Sequence, residues 1–231
     1  MSKILVSALI AGGLMMASFS DSRVMPDDPW QVRPLLTGAT APAFTARFPD
    51  GSSWTFNPAE LDGPVILTFY RGSWCPYCTQ HLMDYRNVEG ELIELGYRLV
   101  FVSPDRPEVL AEGLEGETVS YEVVSDSRLA VAEAFGVAFR LDDVTVARYL
   151  NAGIDLNEAA GEDHQGLPVP STWIIGEDGT IRFSYVNPDY KTRLDPTVLL
   201  AAARSVATAH GNENREGLTR SCHAGTRTSG I

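Results

Sequence analysis

Val65-Ile66-Leu67-Thr68-Phe69-Tyr70-Arg71-Gly72-Ser73-Trp74-Cys75-Pro76-Tyr77-Cys78 is the stretch from which the fold is read. Val65 to Tyr70 is β-branched, aromatic and apolar almost throughout, the pattern of a strand buried on both faces. After the cysteines, Leu82, Tyr85, Val88, Leu92 and Leu95 recur at three- and four-residue spacing and line one face of a helix that Gly96 ends. Arg98 to Ser103 (RLVFVS) is a second buried strand. Strand, helix, strand makes a right-handed parallel crossover. The cysteines therefore sit at the carboxyl end of a central strand, where open α/β sheets place function.

Working outward, Ala43 to Phe48 and Ser53 to Phe56 flank the turn Pro49-Asp50-Gly51 and read as two short strands. Pro107 to Leu114 predicts a helix and Tyr121 to Val124 a strand. Ser125 or Asp126 caps a helix that includes Leu129, Val131, Ala132 and Phe135, and Gly136 closes it. Residues 142–167 read as an insertion with a short helix over Val144 to Tyr149 and an acid-rich loop. Thr172 to Ile175 and Ile181 to Val186 form a hairpin through Glu177-Asp178-Gly179, and Pro196 to Ala207 is a closing helix. The order is β-β-β-α-β-α-β-α-insertion-β-β-α. It predicts an α/β fold with a mixed central sheet flanked by helices and a short insertion before the late hairpin.

The chain has 231 residues and a formal net charge of -12. That length suits one moderate domain with a real core, and the acidity offers no footprint for nucleic acid or anionic lipid. Lys3, the apolar run Ile4 to Ala17 and the small residues Ser18 and Ser20 read as a signal peptide over residues 1–20. The run is too short for a spanning helix, so no stable membrane anchor is expected. The expectation is an exported protein, periplasmic or secreted, and a cytoplasmic one if this segment is not a signal. Residues 21–34, with Pro26, Pro29 and Pro34, read as an extended lead-in. The domain spans 35–208, and 209–231, with Cys222, reads as a disordered tail.

Only three cysteines are present, too few for a disulfide framework. A zinc site needs a second ligand pair, and haem attachment needs His after the second Cys, where Thr79 stands. No metal or cofactor is expected. Pro76 suits the first helical turn, which places Cys75 at the helix N-terminus. Unpaired N–H groups and the positive end of the dipole there favour its thiolate, and Cys78, one turn on, would be the less exposed resolving thiol. Trp74 would shield a disulfide, and Pro76 and Tyr77 constrain the loop. His81, one helical turn past Cys78, is a candidate base or a surface residue; His164 has no visible ligand partners. Pro170 cannot join a central ladder and belongs to a turn before its strand; a cis Val169–Pro170 bond would explain its placement.

These residues together resemble a family. Phe69 to Cys78, Val102-Ser103-Pro104-Asp105, Ser125-Asp126 with Ala134-Phe135-Gly136-Val137, and Val169-Pro170-Ser171-Thr172-Trp173-Ile174-Ile175 with Asp178-Gly179 resemble the AhpC/TSA (alkyl hydroperoxide reductase/thiol-specific antioxidant) group of peroxiredoxin-like proteins. The resemblance covers about residues 35 to 207. It implies a thioredoxin-like fold, with Pro170 as the cis-proline facing Cys75 and Cys78 and offering its backbone to an incoming substrate. It also implies a hydroperoxide substrate and an external dithiol reductant of the thioredoxin type.

The family's Pro-x-x-x-Thr/Ser-x-x-Cys motif is not kept. Counting back from Cys78, Cys75 holds the Thr position and Arg71 the Pro position; counting back from Cys75, Gly72 and Thr68 hold them. The family's Arg before the late strand is replaced by Pro170, with Arg71 or Arg140 as substitutes. The family register makes Cys78 the attacking thiol, whereas helix-terminus logic favours Cys75. Three readings stay open at this level: hydroperoxide reduction, disulfide exchange with a disulfide substrate, and a non-catalytic redox-sensing or metal-delivery module.

Overall fold

A computed structural model describes residues 25–208, residue 117 excepted. The signal-peptide reading and Cys222 lie outside the described residues.

In chain order, β1 (Phe44–Arg47) and β2 (Ser53–Phe56) form a hairpin, and β3 (Val65–Phe69) leads to α1 (Pro76–Tyr85) and α2 (Glu89–Glu94). Then come β4 (Arg98–Ser103), α3 (Pro107–Gly113), β5 (Glu122–Ser125) and α4 (Ala130–Ala134). β6 (Ala138–Arg140) leads into the insertion, which holds α5 (Asp143–Asn151) and α6 (Leu156–Ala160), and β7 (Gly166–Pro168) leads out of it. It is followed by β8 (Ser171–Ile175), β9 (Ile181–Val186) and helix α7 at 196–208. The seven-stranded sheet has the order β2-β1-β5-β4-β3-β8-β9. β3, β4 and β5 are parallel neighbours, and β8 pairs antiparallel to β3, so β3 has neighbours on both sides.

Alternation along β3 explains how an apolar run fills two cores. Val65, Leu67 and Phe69 enter one cluster with Phe56, Phe135 and Trp173; Ile66 and Tyr70 enter the other with Leu92, Phe101 and Leu199. Each such fully buried side chain stabilises the fold by roughly 1.5–3 kcal/mol. Both cysteines belong to the second cluster, packed between the sheet and the helices.

Four details differ from the sequence reading. The active-site helix breaks after Tyr85: Arg86 and Val88 donate to carbonyls three residues back, and Val88 adopts φ -127°, which tightens the chain before α2. Val88 and Leu92 stay buried despite the break. The lead-in contains a 3-10 turn at Pro29–Gln31, where the Asp28 carboxylate accepts from Trp30 N–H. The insertion holds a second helix, α6, and its flanks pair as a two-stranded sheet, β6 with β7. The Val169–Pro170 bond, expected cis, is trans. A trans link carries the chain extended from β7 into β8. It lets Val169 N–H reach Val137 O at 2.9 Å and Pro170 O accept from Asn187 N–H at 3.2 Å.

Of the two proposed caps, Asp126 serves α4. Its carboxylate accepts from Val131 N–H at 3.0 Å and Ala132 N–H at 2.8 Å. Burial nonetheless raises its pKa to about 7.

Candidate active site

Cys75 is the N-cap of α1 and Pro76 its first residue, so the chain leaves β3 and enters the helix through the loop Arg71 to Trp74. Asp105, at the end of β4, fixes that loop: its carboxylate accepts from Ser73 N–H at 2.7 Å and Ser73 Oγ at 2.9 Å. Gly72 has φ +138°, and a Cβ there would lie 2.3 Å from Trp74 Nε1 and 2.9 Å from Asp105 Oδ1. Beneath the loop, Thr68, Tyr85 and Thr172 form a buried triangle of hydroxyls at 3.1, 3.1 and 3.2 Å that ties β3, α1 and β8 together.

The two thiols are free and close together. Cys75, expected to be exposed, is 2% accessible and Cys78 is 1% accessible. Their environments drive them apart. The Cys75 thiol is lowered to about 5, first by the hydrogen bond from the Cys78 thiol, then by the Cys78 backbone N–H and the charges of Arg71 and Arg193; burial opposes this. The Cys78 thiol is pushed up, chiefly by burial and by the hydrogen bond its S–H donates to Cys75. Arg71 Nη1 lies 4.0 Å from Cys75 Sγ, and Cys78 Sγ accepts from Arg193 Nη2 at 3.3 Å and Arg71 N–H at 3.4 Å.

Arg71 is itself buried, at 3% accessibility. Aromatic rings enclose its guanidinium: Tyr190 at 4.1 Å, Trp74 at 5.3 Å and Tyr149 at 5.6 Å. It also donates to Tyr149 Oη. Trp74 packs edge-on against Tyr149, and Tyr77 against Tyr190. Pro170 lines the same cleft as Arg71, Tyr149 and Tyr190. Val169 does not reach it: its side chain is fully buried in the first core cluster and its N–H is taken by Val137. The carbonyl of Pro170 accepts from Asn187 N–H.

His81 is buried at 5% accessibility and its pKa falls to about 4, first through burial and then through the Arg193 charge, which keeps it neutral at pH 7. His164 staples the insertion: Nδ1 accepts from Gly166 N–H and Nε2 faces Ser127 O at 2.8 Å. Among the described residues no three His, Cys, Asp or Glu side chains converge as a metal-ligand set, and no helix is long and apolar enough to cross a membrane.

Three groups at the site escaped the sequence reading: Arg193, Tyr190 and Tyr149. Tyr190 lies in the segment 187–191, which no spacing in the sequence ties to the cysteines. Arg193 follows it, and nothing in sequence spacing ties it to a cysteine more than a hundred positions earlier. Tyr149 ends the one helix foreseen in the insertion.

Comparison with known proteins agrees with this architecture. Residues 37–184 match the AhpC/TSA family. A Mycobacterium tuberculosis protein named as a peroxiredoxin is 29% identical over 154 residues, 66% of this chain and 86% of its own length. Peroxiredoxin Bcp of Escherichia coli K12 is 32% identical over 107 residues, 46% of this chain and 67% of its own. Among solved structures, peroxidoxin BcpB from Mycobacterium tuberculosis superposes with a TM-score of 0.58 at 23% identity, covering 74% of this chain and 97% of that one. Peroxiredoxin Q of Xanthomonas campestris gives 0.56 at 18%, covering 76% and 98%. These likenesses show a thioredoxin-like fold of the peroxiredoxin kind.

Proposed function

The chain belongs to the AhpC/TSA family and is a thiol oxidoreductase, and from that premise we propose that it reduces hydroperoxides with Cys75 as attacking thiolate and Cys78 as resolving thiol. The carrying observation is the split between the two thiols: Cys75 held ionised at a helix start, Cys78 held protonated against it. The thiolate attacks the terminal peroxide oxygen, the O–O bond breaks, and the alcohol (water, for hydrogen peroxide) leaves with a proton. Cys78 then attacks the sulfenic sulfur, the S–O bond breaks and water leaves, so two thiols and one hydroperoxide give a disulfide, an alcohol and water. A dithiol protein of the thioredoxin type restores the thiols by exchange.

Burial of Cys75 supports a small oxidant over a bulky protein disulfide. Stopped-flow oxidation of the reduced protein, followed through Trp74 fluorescence, tests the choice. Fast reaction with hydrogen peroxide and slow reaction with a model disulfide is the expected result. The reverse order would make the protein a disulfide-exchange catalyst.

A second assignment has its own observation: the Arg193 guanidinium and a backbone N–H converge on Cys78, as an attacking sulfur would need. Labelling of Cys75→Ser and Cys78→Ser variants with a thiol probe separates the two. Fast labelling of Cys78→Ser alone supports Cys75. The apolar N-terminal run supports export to the periplasm or beyond; N-terminal sequencing of protein from the native host that began at Met1 would refute it.

A further inference from the structure

The chain between β9 and α7 carries Arg193 to Cys78. Asp189 turns this chain: its carboxylate accepts from Lys191 N–H at 3.1 Å and Thr192 Oγ1 at 3.0 Å. Leu194 then enters the second core cluster with Cys78 and Tyr85. Arg193 spends Nε on the Tyr190 carbonyl at 2.8 Å and Nη2 on Cys78 Sγ at 3.3 Å. Its Nη1 is buried with no hydrogen-bond partner among the described residues. A thiol sulfur is a weak acceptor, so a long side chain aimed at one needs other support to stay in place.

His81 meets the same turn from α1. It stands one helical turn past Cys78, is buried, and packs edge-on against Tyr85 with ring centroids 5.0 Å apart. Three groups act on its charge besides burial. The Leu194 carbonyl favours a ring proton, the Arg193 guanidinium opposes a second one, and Asp84 weighs least. The Asp84 carboxylate also accepts from Gln80 at 2.8 Å. A neutral imidazole has one N–H and one lone pair. His81 Nε2 is buried with no partner among the described residues, which puts the N–H that serves Leu194 on Nδ1 and the lone pair on Nε2. An acceptor without a donor thus feels the charge of a guanidinium whose Nη1 is a donor without an acceptor. Burial makes each of them costly alone, and each supplies what the other lacks.

We propose that His81 is a positioning residue for disulfide closure: Nδ1 holds the Leu194 turn and Nε2 steadies Arg193 Nη1, so that the other arm of the guanidinium stays on Cys78 Sγ. The inference rests on Cys78 as the resolving thiol and adds the group that keeps it ready. His81 touches no reacting atom. Closure is unchanged: the Cys78 sulfur attacks the sulfenic sulfur, the S–O bond breaks and water carries off the proton.

The test follows the two steps separately in the reduced full chain, with two oxidants. One is hydrogen peroxide. The other is a small aromatic disulfide: Cys75 attacks it, one aromatic thiolate leaves, and Cys78 then displaces the second from Cys75. His81→Phe keeps a ring against Tyr85 and removes both nitrogens; His81→Asn returns a donor and an acceptor. His81→Phe should slow closure by about fivefold with either oxidant, the loss expected of one neutral hydrogen bond, and change the first step by less than about twofold. His81→Asn should recover most of the lost rate. Closure at the wild-type rate in a folded His81→Phe variant overturns the assignment. So does equal slowing of both steps, or equal slowing in the two variants, since general loosening of the fold would do either. Thermal melting shows whether His81→Phe is folded. If it is not, nitrogen NMR of the His81 ring in the wild type and in Arg193→Gln carries the test: a protonated Nδ1 and a bare Nε2 whose signal moves in the variant support the assignment, and an unmoved ring overturns it. Slow peroxide oxidation of the wild type, with the closure effect intact under the aromatic disulfide, removes the peroxidase reading and leaves the role of His81 standing.

Discussion

The start of α1 and the helix α5 close the same site from opposite directions and owe their positions to different forces. The α1 start is fixed locally: β3 is paired on both sides, Asp105 ties down Ser73, and Cys75 and Cys78 lie within one helical turn. Helix α5 has no buried residue and leaves Val144 and Leu150 exposed, yet it delivers Tyr149 onto Arg71 and Trp74. The first region sets which sulfur reacts. The second shapes what can approach it. In the proposed mechanism the junction carries the reacting sulfurs, and α5 supplies a ring that covers Arg71 beside them.

The largest effect that would break this division concerns the thiols. Cys75→Ser should cut peroxide turnover by at least about a thousandfold, whereas Cys78→Ser should still complete one oxidation and stop at the sulfenic acid; mass spectrometry after one equivalent of peroxide shows which. Because Cys75 is lowered to about 5, its alkylation rate should rise through pH 5 and stay level from 6 to 8 in the wild type. A midpoint near that of an ordinary thiol would sink the assignment. Arg193→Gln comes next. The variant should slow disulfide closure by about tenfold, because Cys78 loses the charge that helps it ionise, with a smaller change in Cys75 alkylation. A larger loss in the first oxidation step would shift the attack to Cys78.

Smaller effects sharpen the contrast. Tyr85→Phe removes one corner of the buried hydroxyl triangle and should cost about 1 kcal/mol in denaturant unfolding. Tyr149→Phe should cost about 1 kcal/mol in stability through the hydrogen bond lost to the buried Arg71, although α5 has no fully buried residue, while slowing oxidation by about threefold through a loosened Arg71. A stability loss well above that of Tyr85→Phe would mean that Tyr149 holds α5 to the core through more than this hydrogen bond.

The junction was legible because its forces are local. The apolar run, the proline after Cys75 and the three- and four-residue spacing beyond it each constrain neighbours in the chain. Even there, the break between α1 and α2 was hidden, since Tyr85 before it, Val88 within it and Leu92 after it all remain buried and keep the helical spacing intact. Burial of Arg71 was not legible, because its cover comes from Tyr149 and Tyr190, many positions away. The pairing of β6 with β7 was missed for the same reason: three-residue strands across an insertion leave no alternation to read. The bond before Pro170 has the trans form that X–Pro links ordinarily take, with hydrogen bonds to Val137 and Asn187 on either side of it.

Gly72 bears on how this loop can be rebuilt. Even the methyl of alanine would collide with the indole of Trp74 and the carboxylate of Asp105 that pins Ser73. A saturation library at position 72, selected for peroxide resistance, should return glycine codons alone. Removing both Trp74 and Asp105 would clear the space but not the backbone, because φ +138° at position 72 strains any residue with a Cβ.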